Sequence, residues 1–223
     1  MKDQYFGDIN DFRKYSLLRT LQKGNDLRLL VVWMLTPNDK RNDGQIRGYL
    51  RRKENSSRFT SNCPFTLGFD DELFAWLKTV SMKKPNVRLI EKAEILPRTG
   101  FYSATVPDGR EERLKWRVRM LEEVKKADWV FFDPDNGIEV KSVPFGRKNY
   151  SKYVAWDEVE AVWKMGKSIL IYQHRPRVKL EDLTKCFSTE LKSRLNGSKV
   201  AMYMAGAVLY LLVIQKRHPL FTL

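Results

Sequence analysis

The sequence predicts an α/β domain: a mostly parallel sheet with helices on both faces, closed by a C-terminal antiparallel hairpin. Three observations predict it. The apolar runs LRLLVVWML, DWVFF and SILIYQH alternate with segments of helical periodicity, the order of strand–helix–strand crossovers. These runs are continuously apolar, as in strands covered on both faces. A fourth run, VAMYMAGAVLYLLVI at 200–214, is interrupted by Ala205-Gly206-Ala207, where two buried strands turn. A chain of 223 residues suits one such domain, 1–223, carrying an insertion.

The elements follow in order. DFRKYSLLRTLQ places Phe12, Tyr15, Leu18 and Leu21 at helical spacing, with Gly24-Asn25 to end the helix. LRLLVVWML is the first strand, and TPNDKRNDG is a polar loop after it. QIRGYLRRKENSSRF and DDELFAWLKTVSM read as helices, so residues 38–85 form the expected helical insertion. NVRLIEKAEIL is expected to be a strand. DGREERLKWRVRMLEEVKKA is a surface helix with Leu114, Val118 and Leu121 on its apolar stripe. DWVFFDPDNG is a strand ending in a sharp turn. WDEVEAVWKMG is a helix in which Asp157 and Glu160 have capping-box spacing and Gly166 suits the C-terminal cap. SILIYQH is a strand, LEDLTKCFSTELKSRL a helix, and the hairpin closes the chain.

Composition narrows the partners. Hydrophobic residues at 43% and aromatic residues at 12% fill a core, which excludes disorder as the main state. Lys plus Arg is 41 against 27 acids, a net charge of +14. That excess favours a polyanion, because each cation meeting a phosphate releases condensed counterions. Cys63 and Cys186 lack metal spacing and point to a reducing, cytoplasmic compartment. The opening MKDQYFGD has no apolar run of a signal peptide. The 15 residues of 200–214 fall short of the roughly 20 that cross a bilayer; no membrane partner is expected.

Ligands of open α/β sheets bind beyond the carboxyl ends of the strands. Three strand ends bring polar residues there: Asp39, Asn42 and Asp43 after the first; Asp133, Asp135, Asn136 and Glu139 after the middle one; His174, Arg175 and Arg177 after the next. Each has a plainer reading. Asp133 and Asn136 suit an Asx turn around Pro134 and Gly137, Asn42-Asp43-Gly44 suits an ordinary turn, and His174 suits a satisfied strand end.

The turn DWVFFDPDNG resembles the catalytic turn of amino-group methyltransferases, an Asp-Pro-Pro-Tyr type motif after a buried strand. In those enzymes the acid and a backbone carbonyl accept hydrogen bonds from an exocyclic amine, and the aromatic residue stacks on the extruded base. The opening GDINDFRKYSLL is similar to the N-terminal motif of the ribosomal RNA adenine-N6 methyltransferases of the RlmJ type. Gly7, Asp11 and Lys14 fall on matching positions, with Asp8 and Tyr15 replacing an Asn and a His. The resemblance implies a Rossmann-like, methyltransferase-like fold, S-adenosylmethionine as cofactor, and a base amino group of RNA or DNA as acceptor. On that reading Asp133 would orient the target nitrogen and Asn136 would help hold it, and the resemblance implies that Lys14 and Tyr15 line the cofactor side. His174 at the next strand end is a further catalytic candidate, and Asp8 and Asp11 beside Lys14, with Asn42 and Asp43 from the loop after the first strand, are further cofactor-side candidates. The sequence departs from the family twice: no glycine follows the first strand until Gly44, and the turn has no aromatic residue after Asp133-Pro134.

Arg47, Arg51, Arg52 and Lys53 of RGYLRRK, with Arg175 and Arg177, are the candidate phosphate contacts; the plainer reading of the first group is a solvated helix face. A second functional class stays open. Asp133, Asp135 and Glu139 form a carboxylate set suited to Mg²⁺ in phosphodiester cleavage, with Lys141 or His174 assisting. A third is a non-catalytic nucleic-acid-binding protein on the same scaffold.

Overall fold

A computed structural model describes residues 1–40, 46–51, 70–80, 84–176 and 178–216. Six strands form one mixed sheet: β1 (Leu29–Val32), β2 (Thr99–Tyr102), β3 (Trp129–Phe132), β6 (Ser168–His174), β7 (Lys199–Ala205) and β8 (Val208–Ile214). Their order is β2-β1-β3-β6-β8-β7. The first four are mutually parallel, and β8 runs antiparallel to both β6 and β7. The hairpin expected at 200–214 is present, turning at Gly206 with φ +64°, and β8 is inserted between β6 and the edge strand β7. Two further strands of two residues each, β4 (Gly137–Ile138) and β5 (Tyr153–Val154), pair in parallel beside it.

The central strands are apolar throughout because both faces are covered. Val31, Trp33, Trp129 and Phe131 pack on one side with helix α1 (Ile9–Gln22) and helix α2 (Asp71–Val80). Leu30, Val32, Val130 and Phe132 pack on the other with α4 (Arg110–Val124), α5 (Trp156–Lys164) and α6 (Leu180–Arg194). Alternate residues along a strand point to opposite faces, so two cores share one sheet.

Three expectations are corrected. The segment NVRLIEKAEIL is not a strand: it holds the single helical turn α3 (Arg88–Glu91), with Val87 and Ile90 buried at i, i+3. The edge strand is instead the half-exposed TGFY of β2. In α4 the buried face is Arg113, Trp116, Met120 and Val124, while Leu114 and Val118 are exposed. A charged residue belongs to that face because Arg113 donates twice to Glu158, at 2.7 and 2.8 Å. Glu158 also caps α5, accepting from the Ala155 N–H at 3.0 Å, so Asp157 and Glu160 are not the capping pair. Of the expected insertion, Gly48–Arg51 is a 3₁₀ turn and α2 is helical; 41–45, 52–69 and 81–83 lie outside the described residues.

Candidate functional site

A cavity of about 260 Å³ opens at the carboxyl ends of β3 and β6. Its wall is begun by the segment before α1. Gly7 takes φ +82°, a conformation glycine adopts without a steric penalty, and its N–H donates to Asp11 Oδ2 at 2.8 Å. Asp8 then caps α1, its Oδ1 accepting from the Asn10 and Asp11 N–H groups at 2.8 and 3.0 Å. One helical turn on, Lys14 reaches back to Asp11 Oδ1 at 2.7 Å and across to Asp133 Oδ2 at 2.7 Å. All three side chains are 3% exposed.

Asp133 arrives from the other side. Its N–H extends the β1–β3 ladder by donating to Val32 O at 3.0 Å, and its carboxylate then meets Lys14 rather than closing an Asx turn. The rest of the turn is held by backbone. Asn136 N–H donates to Lys152 O at 2.9 Å, and Asn136 O accepts from the His174 N–H at 3.0 Å. Gly137 takes φ +124° in contact with the Gln173 amide, whose Oε1 accepts from the Ile138 N–H at 2.9 Å. A side chain at Gly137 would collide with that amide. The side chains of Asn136 and His174 line the cavity and form no hydrogen bond with a described residue, so both are available to a ligand.

Charge is concentrated and buried. Burial and the adjacent Asp11 push Asp8 up to about 7, against the pull of its capped N–H groups and Lys14. Burial also pushes Asp133 up, opposed by Lys14 and the amino terminus. Burial alone would lower Lys14, but Asp11 and Asp133 outweigh it and hold its proton firmly. The Met1 amine lies 2.8 Å from Asp135 Oδ1 and donates to Asp133 O at 3.2 Å. Asp135 also accepts from Thr36 Oγ1 at 2.7 Å. These partners outweigh burial and hold its carboxyl below the usual range.

The remaining sequence candidates divide. Asp8, Asp11, Lys14, Asp133, Asn136 and His174 line one cavity. Tyr15 does not line it: fully buried, it meets Trp33 edge-on at 6.2 Å. Glu139 stands apart from Asp133 and Asp135, accepting from Tyr150 Oη at 2.5 Å and the Trp156 N–H at 2.8 Å. Among the described residues no three His, Cys, Asp or Glu side chains stand together as a metal site. Arg47 donates to Phe6 O at 2.8 Å, and Tyr49 Oη donates to Gly7 O at 3.2 Å, so this part of RGYLRRK braces the opening segment. Arg51 is exposed, and Arg175 is half-buried with its guanidinium on Met204 Sδ at 3.8 Å. Asn42, Asp43, Arg52, Lys53 and Arg177 lie outside the described residues.

Sequence reasoning missed Tyr172, Lys152 and Asn10, which also line the cavity. Tyr172 sits inside an apolar strand and Lys152 in a loop far along the chain, so neither carries a local signal. The segment after β1 has no glycine before residue 44, and Met34 in it takes φ +49° while fully buried. Among the described residues no helix is long and apolar enough to cross a membrane. No protein-family model matches the chain, and no curated protein or solved structure matches it.

Proposed function

We propose that the protein is an S-adenosylmethionine-dependent methyltransferase acting on an amino group of a nucleic-acid base. One observation carries the reading: Lys14 and Asp133, from two motifs that separately resemble the same enzyme family, meet at 2.7 Å although 119 positions apart. The sheet order, with an antiparallel strand inserted before the last, agrees with the methyltransferase-like fold that the resemblance implies.

The lining is polar: Asp8, Asp11 and Asp135 stand around the cavity, Lys14 and the Met1 amine offset the charge of Asp11 and Asp135, and Asn136 and His174 are left to meet a ligand. S-adenosylmethionine, when bound, supplies an electrophilic methyl group. The chain's own part is orientation. Asp133 accepts a hydrogen bond from the target amine, which aims the nitrogen lone pair. Lys14 is a positioning residue that holds the Asp133 carboxyl in place and opposes the upward push of burial on it. The Asn136 amide pairs with the base edge. The aromatic ring missing from the turn is replaced by Tyr172, one strand away and facing the same cavity; its ring is steadied edge-on by Tyr210 at 5.8 Å.

Calorimetric titration tests this. Saturable heat with S-adenosylmethionine, and none with Mg²⁺ or Mn²⁺, is expected. Binding of the metals without the cofactor would replace methyl transfer by the cleavage reading.

A further inference from the structure

We infer that the excursion between β4 and β5 is the surface on which a single nucleic-acid strand lays its phosphates, with Lys152 leading it into the cavity. The inference rests on the cavity being a base-modifying site, and it assigns that site's partner to one face of the molecule.

Residues 140–152 contain Lys141, Arg147, Lys148 and Lys152 and no acid. Lys141, Arg147 and Lys148 are exposed, and none makes an ion pair with a described residue. Pairing varies elsewhere: Lys125 sits with Glu122 at 2.6 Å, Lys126 with Glu123 at 2.9 Å and Arg194 with Glu160 at 3.0 Å, while Lys23, Lys115, Lys164 and Lys192 are exposed without an ion pair to a described residue. The stretch 140–152 is set apart by holding four cations and no acid right beside the cavity.

The excursion is also built rigidly. Asp108 accepts from the Asn149 and Ser151 N–H groups at 3.0 and 2.7 Å. Asn149 sits at φ +71°, a conformation asparagine tolerates. Phe145 packs edge-on against Tyr150 at 5.1 Å and beneath the Arg110 guanidinium at 5.0 Å. Tyr150 is in turn tied to Glu139. Cations held on a fixed backbone lose less entropy when a strand binds.

Position completes the case. The Lys152 carbonyl accepts the Asn136 N–H, so the basic excursion hangs directly from the turn that carries Asp133, and Lys152 is among the residues lining the cavity. A base reaches such a cavity only out of its stack, which favours single-stranded substrate. The strand's backbone then follows the excursion while one base enters beside Asp133.

The test compares the wild type with Lys141→Ala/Arg147→Ala/Lys148→Ala and with a control, Lys125→Ala/Lys126→Ala. Fluorescence anisotropy follows a labelled single-stranded RNA and its DNA counterpart across a salt series, without cofactor. S-adenosylmethionine binding is titrated in parallel, and thermal melts check folding. The triple variant is expected to bind the strand about tenfold or more weakly at low salt, and to lower the slope of log K against log salt by about two. The control should match the wild type. Loss of the strand by the triple variant, in a wild type that ignores the cofactor, upholds the surface while the methyl-transfer reading falls. Unchanged affinity and slope, an equal loss in the control, a preference for duplex, or no nucleic-acid binding by the wild type would each overturn the inference.

Discussion

Lys14 Nζ stands 2.7 Å from Asp133 Oδ2 and 2.7 Å from Asp11 Oδ1, joining the first helix to the end of the central strand. One buried cation thus serves two buried carboxylates, with Asp8 close by. Removing it leaves like charges without compensation, and breaking a buried pair costs about 3–5 kcal/mol. Lys14→Met is therefore expected to lose stability on that scale in a urea melt. A loss below about 1 kcal/mol would mean that the cluster is hydrated and its charges are not held by Lys14.

Asp8 gives the pH dependence. Its folded-state value of about 7 lies above the ordinary aspartate value of 3.8, so the folded chain binds the proton more tightly than the unfolded one. Stability associated with this group is then greatest below about 3.8 and falls as pH rises to about 7. Asp8→Asn keeps an oxygen acceptor for the helix cap and removes the charge. The variant should gain Tm relative to wild type at pH 8 and show little gain at pH 4. Equal shifts at both pH values would contradict a raised Asp8.

Glu139 separates structural from catalytic acids. It accepts from Tyr150 and Trp156, and leaving buried donors unpaired costs about 1–3 kcal/mol. Glu139→Ala should lower stability by that amount and keep activity per folded molecule within a few-fold. Abolished activity in a variant as stable as wild type would restore Glu139 to the reaction.

Tyr172 is assigned a stacking role. Base–aromatic stacking is worth about 1–3 kcal/mol, so Tyr172→Leu should weaken strand binding by roughly tenfold, with cofactor binding retained and Tyr172→Phe restoring the affinity. Failure of Tyr172→Phe to restore it would place the effect in the phenol rather than the ring.

The legible parts of this molecule are those whose physics is local. β1, β3 and β6 announce themselves as strands buried on both faces, and the Ala205-Gly206-Ala207 break marks the hairpin. β2 does not, because an edge strand of four half-exposed residues has no periodicity to read. The buried face of α4 was hidden because Arg113 looks like solvent-facing charge until Glu158, 45 positions on, is placed against it. At the site, strand-end loops disclosed Asp133, Asn136 and His174. The partnership of Lys14 with Asp133 followed from no spacing, since it depends on how α1 crosses the sheet edge. Lys152 was invisible for the same reason: two strands of two residues bring it there.

Methyl transfer itself is the most direct test. Tritium from methyl-labelled S-adenosylmethionine should appear in single-stranded nucleic acid incubated with the wild type. Asp133→Asn, which leaves Lys14 its Asp11 partner, should fold and bind the cofactor but transfer about 100-fold less or lower. No transfer by a wild type supplied with RNA and DNA, or full transfer by Asp133→Asn, would contradict the account.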